Sequence, residues 1–186
     1  MRPTLVSTKT SIPRVPPGIV ERASLIEHVR AGLSCPLTLV SAPAGYGKTT
    51  LLSALAQQKE PTILKAAWLS LDAGDNDRVS FWTDFISALQ NQNPHIGESS
   101  LQMLGMPQLS SIQPILVDLI NEINSEAQPA QAFVLILDDY HVVEEPAIHQ
   151  DLTFLIEHLP WRLRLVISTR VDPPLPLARL RARAGH

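Results

Sequence analysis

Residues Leu37 to Leu52 read LTLVSAPAGYGKTTLL, and this stretch decides the fold. It begins with a short apolar run, continues through a loop that contains two glycines, and ends in leucines at helical spacing. Such a succession of patterns is typical of a buried strand, a tight loop and the start of a helix. The rest of the chain is expected to be organised around this unit.

The loop fits the phosphate-loop (Walker A) pattern G-x-x-x-x-G-K-[ST], with Ala42 in the place of the first glycine. Gly45 and Gly47 allow positive φ angles, so that several backbone N–H groups point at one anion, and the helix adds its positive N-terminal end. Lys48 has the reach to contact the β and γ phosphates, and the Thr49 hydroxyl is a ligand for Mg²⁺. The alternative is a glycine-rich turn with a solvated lysine. The strand before the loop and the helix after it favour a binding site for ATP or ADP with Mg²⁺.

Two residues before the first helix extend this prediction. Arg22, with Val20 beside it, is placed to frame the adenine or a phosphate, and an ordinary helix-start role is nearly as good an interpretation. The predicted nucleotide-binding residues are Val20, Arg22, Ala44, Gly45, Tyr46, Gly47, Lys48, Thr49 and Thr50.

Composition narrows the class of protein. A chain of 186 residues with 45% hydrophobic residues is long enough to bury the core of one ordinary domain. A net charge of −3 and a pI near 6.0 argue against a strongly basic nucleic-acid surface. Cys35 is the single cysteine, which excludes an internal disulfide and fits a reducing, cytoplasmic location. Neither a signal peptide nor a membrane-spanning stretch is expected.

Alternating strand and helix patterns predict the fold class. Apolar strand patterns at 37–40, 66–71, 133–137 and 163–167 alternate with helical ones, which indicates an α/β fold with a mainly parallel sheet between two helical layers. With the phosphate loop, this is the three-layer architecture of P-loop NTPases of the ASCE or AAA-like type. The predicted organisation is an extended, proline-containing lead-in (1–18), the NTPase core (19–172) and the start of a truncated following segment (173–186). Residues 91–110 are expected to form an irregular connection or a short helix.

Two acids and an arginine follow predicted strands, where the ligand of a parallel sheet binds. Asp138 is the expected Mg²⁺ ligand together with Thr49, and Asp139 is expected to orient or deprotonate the attacking water. Arg170 matches the geometry of phosphate oxygens and is expected to contact the γ phosphate. The predicted catalytic residues are thus Lys48, Asp139 and Arg170. An acidic pair that caps a turn and a surface arginine are the alternatives.

Other polar residues carry weaker signals. Asp72, Asp75 and Asp77 resemble a metal-binding run, but the loop lacks the Gly and Glu spacing of a calcium site, so we interpret these aspartates as solvated. His141 follows the acidic pair, and a lone histidine there is more often structural than nucleotide-sensing.

Four motifs in this order resemble the nucleotide-binding domain of MalT-like, LuxR-type transcription regulators, which belong to the STAND class of signal-transducing NTPases. The matching runs are Ser41 to Thr50, Trp68 to Asp77 with Phe81 and Trp82, Leu137 to His141, and Ser168 to Leu177. The resemblance implies a nucleotide switch in which ADP holds a resting form, ATP favours self-association of the full-length protein, and slow hydrolysis resets it. It also implies an inducer and DNA bound by further domains absent from these 186 residues, and no membrane.

Two other classes remain open. A phosphotransferase would need an acceptor pocket and an arginine-rich lid, and no arginine cluster lies between Lys48 and Asp138. The second is a nucleotide-binding interaction module that does not hydrolyse ATP, in which the phosphate loop is vestigial.

Overall fold

The computed structural model describes residues 8–18, 22–58, 65–106, 111–125 and 132–184. The strands are β1 Leu37–Ser41, β2 Lys65–Ser70, β3 Phe133–Asp138 and β4 Leu163–Thr169. The α-helices are α1 Ala23–Gly32, α2 Lys48–Ala56, α3 Arg78–Gln90, α4 Glu98–Leu104, α5 Gln113–Ser125, α6 Pro146–Glu157 and α7 Leu177–Ala184. Two short 3₁₀ turns span Ala73–Asn76 and Tyr140–Val142.

The four strands form one parallel sheet in the order β1-β4-β3-β2. Ser41 at the end of β1 pairs with Thr169 of β4, and Ser70 at the end of β2 pairs with Asp138 of β3. The carboxyl ends of all four strands therefore meet at one edge of the sheet. The α/β fold class and the parallel sheet are confirmed.

Helices cover both faces of the sheet. Along β3, where all six residues are buried, Leu135 and Leu137 belong to one apolar cluster, whereas Val134 and Ile136 belong to the other. The first cluster includes side chains from α3, α5 and α6, and the second includes side chains from α1 and α2. Because side chains alternate along a strand, a strand buried on both faces reads as an unbroken apolar run, which is how β3 appears in the sequence.

The described part of the lead-in, residues 8–18, lies across the domain and contains no strand. The carbonyl oxygen of Lys9 accepts a hydrogen bond from the backbone N–H of Ser70 at 2.8 Å, just where β2 ends. Farther along, the carbonyl oxygen of Pro13 accepts one from the Gln57 side chain at 2.8 Å. These two bonds attach the lead-in at the carboxyl end of β2 and at the end of α2 that lies away from the phosphate loop.

Two predictions differ from the structure in detail. Helix α2 ends at Ala56, whereas the sequence pattern extended it to Lys59, which lies outside the described residues. The predicted loop after β2 forms the 3₁₀ turn Ala73–Asn76. The connection at 91–110, predicted to be irregular or a short helix, does contain a short helix, α4, within its described part.

The last described helix packs on the core. Leu180 of α7 and Leu175 before it are both buried in the larger apolar cluster, and the Arg179 guanidinium pairs with Glu157 of α6. Among the described residues, the longest helices are α3 and α5, with 13 residues each. Within the described ranges, no helix is long and apolar enough to cross a membrane.

Candidate functional site

The phosphate loop, residues 42–49, joins the end of β1 to the start of α2. Gly45 and Gly47 have φ angles of 81° and 76°, in the left-handed region that favours glycine. A Cβ built at either position would meet nothing within 4 Å, so the requirement for glycine here is conformational rather than steric. Ala42 has no positive φ, which explains why an alanine replaces the first glycine of the pattern.

The N-terminus of α2 opens at this loop. Gly47 is its N-cap residue, and no side chain caps the first turn. The amide groups of a first turn need acceptors from outside the helix, and they carry a partial positive charge. The first residues of α2, Lys48, Thr49 and Thr50, therefore present an environment suited to an anion.

Lys48 is 8% exposed and folds back along the loop. Its ammonium group donates hydrogen bonds to the carbonyl oxygens of Ala42 at 2.7 Å and Pro43 at 3.1 Å. Both acceptors belong to the same loop, so the charge is held within the phosphate loop.

Thr49 and Asp138 meet beneath the loop although they are 89 residues apart in the chain. The Thr49 hydroxyl donates to Asp138 Oδ2 at 2.8 Å. Asp138 is 3% exposed, and among the described residues its second oxygen, Oδ1, has no hydrogen-bond partner. An ionised carboxylate is costly to bury without a partner, and a hydroxyl beside a carboxylate is a donor set that suits Mg²⁺.

Asp139, His141 and Arg170 surround this pair at the rim of the sheet. Asp139 Oδ1 lies 3.7 Å from His141 Nδ1, and the Asp139 side chain is 42% exposed. Burial lowers the pKa of His141, and the positive charges of Arg170 and Lys48 lower it further, while Asp139 and Asp138 act in the opposite direction. His141 therefore lies close enough to Lys48, Asp138, Asp139 and Arg170 for their charges to act on it.

Arg22 approaches the loop from the start of α1. Its guanidinium donates to the carbonyl oxygen of Tyr46 at 3.3 Å, and the Tyr46 side chain is exposed. Val20, the other predicted residue on this side, lies outside the described residues. The catalytic and binding roles assigned from the sequence to these residues stay predictions.

The interpretation of the aspartate run as solvated is wrong for Asp75, which is 1% exposed. Both of its carboxylate oxygens accept from the Lys9 ammonium group at 2.9 Å, and Oδ2 also accepts from the Asp72 amide at 2.7 Å. Asp77 is the N-cap of α3, where it accepts from the Ser80 amide. Among the described residues, no group of three or more His, Cys, Asp or Glu side chains is arranged to hold a metal ion.

No sequence pattern predicts a role for Asn76, whose side chain joins the turn after β2 to the segment that follows Asp138. Its side chain contacts Val142, Glu144 and Glu145. We call residues 138–145 the acidic turn. An asparagine within a polar run carries no local signal for such a contact, and only its position beside Asp75, just after a buried strand, pointed to this edge of the sheet.

Comparison with known proteins shows which regulators the chain resembles. No protein-family profile matches the chain. Over 179 residues, 96% of its length, the chain is 33% identical to the HTH-type transcriptional regulator MalT of two Klebsiella pneumoniae strains, and 34% identical to that of Cronobacter sakazakii. The match covers 19% of each relative, so the chain spans about a fifth of their length. The predicted resemblance is therefore confirmed: over nearly its whole length, the chain is similar to one segment of MalT-like, LuxR-type transcriptional regulators of the STAND class.

Proposed function

We propose that this chain is the ATP-binding, slowly hydrolysing switch region of a signal-responsive transcriptional regulator. The observation that carries the proposal is the contact between Thr49 and Asp138 beneath the phosphate loop. It joins the hydroxyl of a phosphate-loop motif to a buried carboxylate at the end of another strand, in the arrangement that Mg²⁺-nucleotide binding requires. Similarity to MalT, a transcriptional regulator by name, supports the same conclusion.

Each part of the loop has a role in binding. The amides at the start of α2 and around Gly45 bind phosphate oxygens, and the Lys48 ammonium group exchanges its loop carbonyls for the β and γ phosphates. Thr49 and Asp138 hold Mg²⁺, which neutralises charge on the phosphates when bound. Arg22, which donates a hydrogen bond to the Tyr46 carbonyl of the loop, frames the nucleotide.

Asp139 and Arg170, at the rim of the sheet, carry out the hydrolysis step. Asp139 orients a water whose oxygen attacks the γ phosphorus, while the bond from that phosphorus to the β–γ bridging oxygen breaks and ADP leaves with the electron pair. The proton of the water passes to Asp139 or to a phosphate oxygen. Arg170 contacts the γ phosphate and so distinguishes ATP from ADP.

Turnover is expected to be slow. The Asp139 side chain is 42% exposed, so water competes for its hydrogen bonds, and Arg170 is exposed as well. A rate far below the order of 10 per second that is typical of enzymes suits a switch, which needs long-lived states. In the whole regulator, located in the cytoplasm, we propose that ATP favours self-association, while an inducer and DNA bind to other domains.

Titration calorimetry with Mg²⁺ and ADP or ATP tests the proposal on the wild-type chain and on Lys48→Ala. We expect Lys48→Ala to lose at least about tenfold in affinity, because it removes the one lysine held in the loop. Lys65→Ala is the matched control, since Lys65 is exposed at the start of β2, at the opposite edge of the sheet. Equal heats from the wild-type chain and Lys48→Ala would refute nucleotide binding at this loop, and phosphate release on the order of 10 per second would refute the slow switch.

A further inference from the structure

The amide group of Asn76 uses all of its hydrogen-bonding capacity at the site-bearing edge. Its Oδ1 accepts from the backbone N–H groups of Glu144 at 2.6 Å and Glu145 at 3.1 Å. Its Nδ2 donates to the carbonyl oxygens of Val142 at 2.8 Å and Ala73 at 3.3 Å. Two acceptor and two donor bonds are the full inventory of such a side chain, and aspartate, leucine or alanine would each lose some of them.

These bonds hold the part of the acidic turn that bends away from β3. Asp139 has φ 59° and ψ 36°, and it is the one residue other than glycine with a positive φ in the part of the chain that the structure describes. Aspartate tolerates this left-handed conformation better than most residues, but the conformation persists only where surrounding contacts impose it. The backbone bonds from Val142 to Asp139 and from Val143 to Tyr140, both 3.1 Å, close the turn itself.

A second anchor lies on the inner side of the turn. The Tyr140 ring is fully buried, and its hydroxyl shares a 2.7 Å hydrogen bond with His149 Nδ1 on α6. Tyr140 fixes the residue after Asp139 from inside the core, and Asn76 fixes the end of the turn from the neighbouring loop. Asp139 and His141 precede and follow the buried Tyr140, and their side chains lie 3.7 Å apart.

Asn76 is itself held in place from below. The neighbouring Asp75 carboxylate accepts hydrogen bonds from the Lys9 ammonium group and from the Asp72 backbone amide. The Asp72 carboxylate in turn accepts one from the Gly74 amide at 2.7 Å. Lys9 also contacts Asp84 of α3 at 3.1 Å. The 3₁₀ turn that carries Asn76 is therefore fixed to the lead-in and to α3, so the Asn76 amide is rigidly presented to the acidic turn.

We propose that Asn76 is a positioning residue for hydrolysis: by clamping Val142, Glu144 and Glu145, it holds Asp139 in the backbone conformation that aims its carboxylate at the attacking water. The inference rests on the proposed function, because it assumes that Asp139 orients this water. Asn76 does not touch the phosphate loop in the described contacts, and the Thr49 to Asp138 pair lies on strand and helix residues. Loss of the clamp therefore reduces turnover while nucleotide affinity is retained.

The test compares Asn76→Ala and Asn76→Asp with Asp77→Ala in the 186-residue chain. Asp77→Ala is the matched control, because it removes a neighbouring side chain that caps α3 and does not contact the acidic turn. Three quantities are measured: the exchange rates of the backbone amides of residues 142–145, the Mg²⁺-ADP dissociation constant, and the single-turnover rate of ATP hydrolysis. The exchange measurement needs no nucleotide.

Asn76→Ala is expected to speed exchange of the Glu144 and Glu145 amides up to about tenfold, the equivalent of one lost hydrogen bond. It is expected to slow hydrolysis about 10- to 100-fold, because a displacement on the order of 1 Å misaligns a catalytic group, with the dissociation constant changed by less than about twofold. Asn76→Asp retains the acceptor for both amides but sets a carboxylate against the Val142 carbonyl, so exchange of those amides stays slow while hydrolysis falls. Asp77→Ala lowers stability and changes neither exchange at 142–145 nor hydrolysis.

Unchanged exchange of the Glu144 and Glu145 amides in Asn76→Ala would overturn the proposal that Asn76 holds the acidic turn. Hydrolysis that falls no more than in Asp77→Ala, or affinity that falls as far as hydrolysis, would overturn the positioning role. If the wild-type chain does not hydrolyse ATP, the proposed hydrolysis and the effect of Asn76 on its rate are both refuted. The amide exchange rates would still show, independently, whether Asn76 holds the acidic turn.

Discussion

Replacing Lys9 by methionine should destabilise the fold strongly although Lys9 lies in the lead-in. Burial lowers the pKa of Lys9, but the hydrogen bonds that Lys9 donates to Asp75 and Asp84, together with the negative charges of these two residues, outweigh that effect and raise the pKa above its ordinary value. Burial also raises the pKa of Asp75, against the opposing effects of the Asp72 amide and Lys9. Both shifts together indicate that Lys9 mainly compensates for the free energy that burial of the Asp75 carboxylate costs. Removing Lys9 leaves that cost uncompensated, so the free energy of unfolding falls.

The magnitude follows from what remains around Asp75. Breaking a fully buried ion pair on one side costs about 3–5 kcal/mol. The Lys9 side chain is 17% exposed, which admits water, and the Asp72 amide still donates to Asp75, so we expect a loss of about 2–3 kcal/mol. For a chain of this size, that corresponds to a melting temperature lower by roughly 4–12 °C. Methionine keeps the apolar stem of lysine, so lost packing contributes little.

Urea unfolding at about pH 7.5 and about pH 4.5 measures this effect and its pH dependence. A carboxyl whose folded pKa is raised contributes stability that is present at low pH and lost as pH rises through that pKa. Without Lys9 the folded pKa of Asp75 rises further, so the deficit of Lys9→Met should be large near neutral pH and shrink in acid. Lys65→Met, at an exposed lysine, should stay within about 0.5 kcal/mol of wild type.

The double variant Lys9→Met with Asp75→Asn identifies the source of the loss. Because the neutral amide needs no cation, the double variant should be more stable than Lys9→Met alone by about 1 kcal/mol or more. A deficit below about 1 kcal/mol at neutral pH, or an equal deficit at both pH values, would refute the reasoning. So would a double variant that loses as much as the sum of the two single ones.

Two further predictions concern the loop and α6. Gly47→Ala should lose about 1 kcal/mol and weaken ADP binding, because alanine disfavours a φ of 76°, while Gly105→Ala, at a φ of −78°, should be nearly neutral in urea unfolding. Equal losses would contradict a conformational role for Gly47. Burial lowers the pKa of His149, despite the opposing charge of Glu145, so the stability of its neutral form is present above its ordinary pKa and lost as pH falls. His149→Gln should therefore flatten the decline in stability between about pH 7 and pH 5, and an unchanged slope would exclude His149 as its source.

The sheet could be predicted from sequence because its signals are local. The apolar run at β3 and the glycines at 45 and 47 each report on their own backbone, and the parallel order brings their ends together. The approach of Thr49 to Asp138 followed from this topology, without any direct signal that couples the two residues.

Asp75 shows why the rest could not be predicted. Its neighbours are polar, and such a run is normally solvated, but its burial depends on Lys9, which lies 66 residues earlier in the chain. No periodicity relates the two positions. The positive φ of Asp139 was hidden for a related reason, since the conformation of one aspartate after a strand is decided by contacts such as those of Asn76 and Tyr140.

The two halves of the site are supported by different parts of the fold. Thr49 lies on the first turn of α2, and Asp138 ends a strand that is paired on both sides, so the binding half is held by the sheet. Asp139 lies beyond the strand, in a turn held by the Asn76 side chain from the loop after β2, and the lead-in holds that loop. Local opening costs less free energy in a loop clamped by side chains than in a central strand. Substitutions in the lead-in should therefore lower the rate of hydrolysis more than they lower the affinity for nucleotide. A switch could in this way change the rate at which it resets while its nucleotide stays bound.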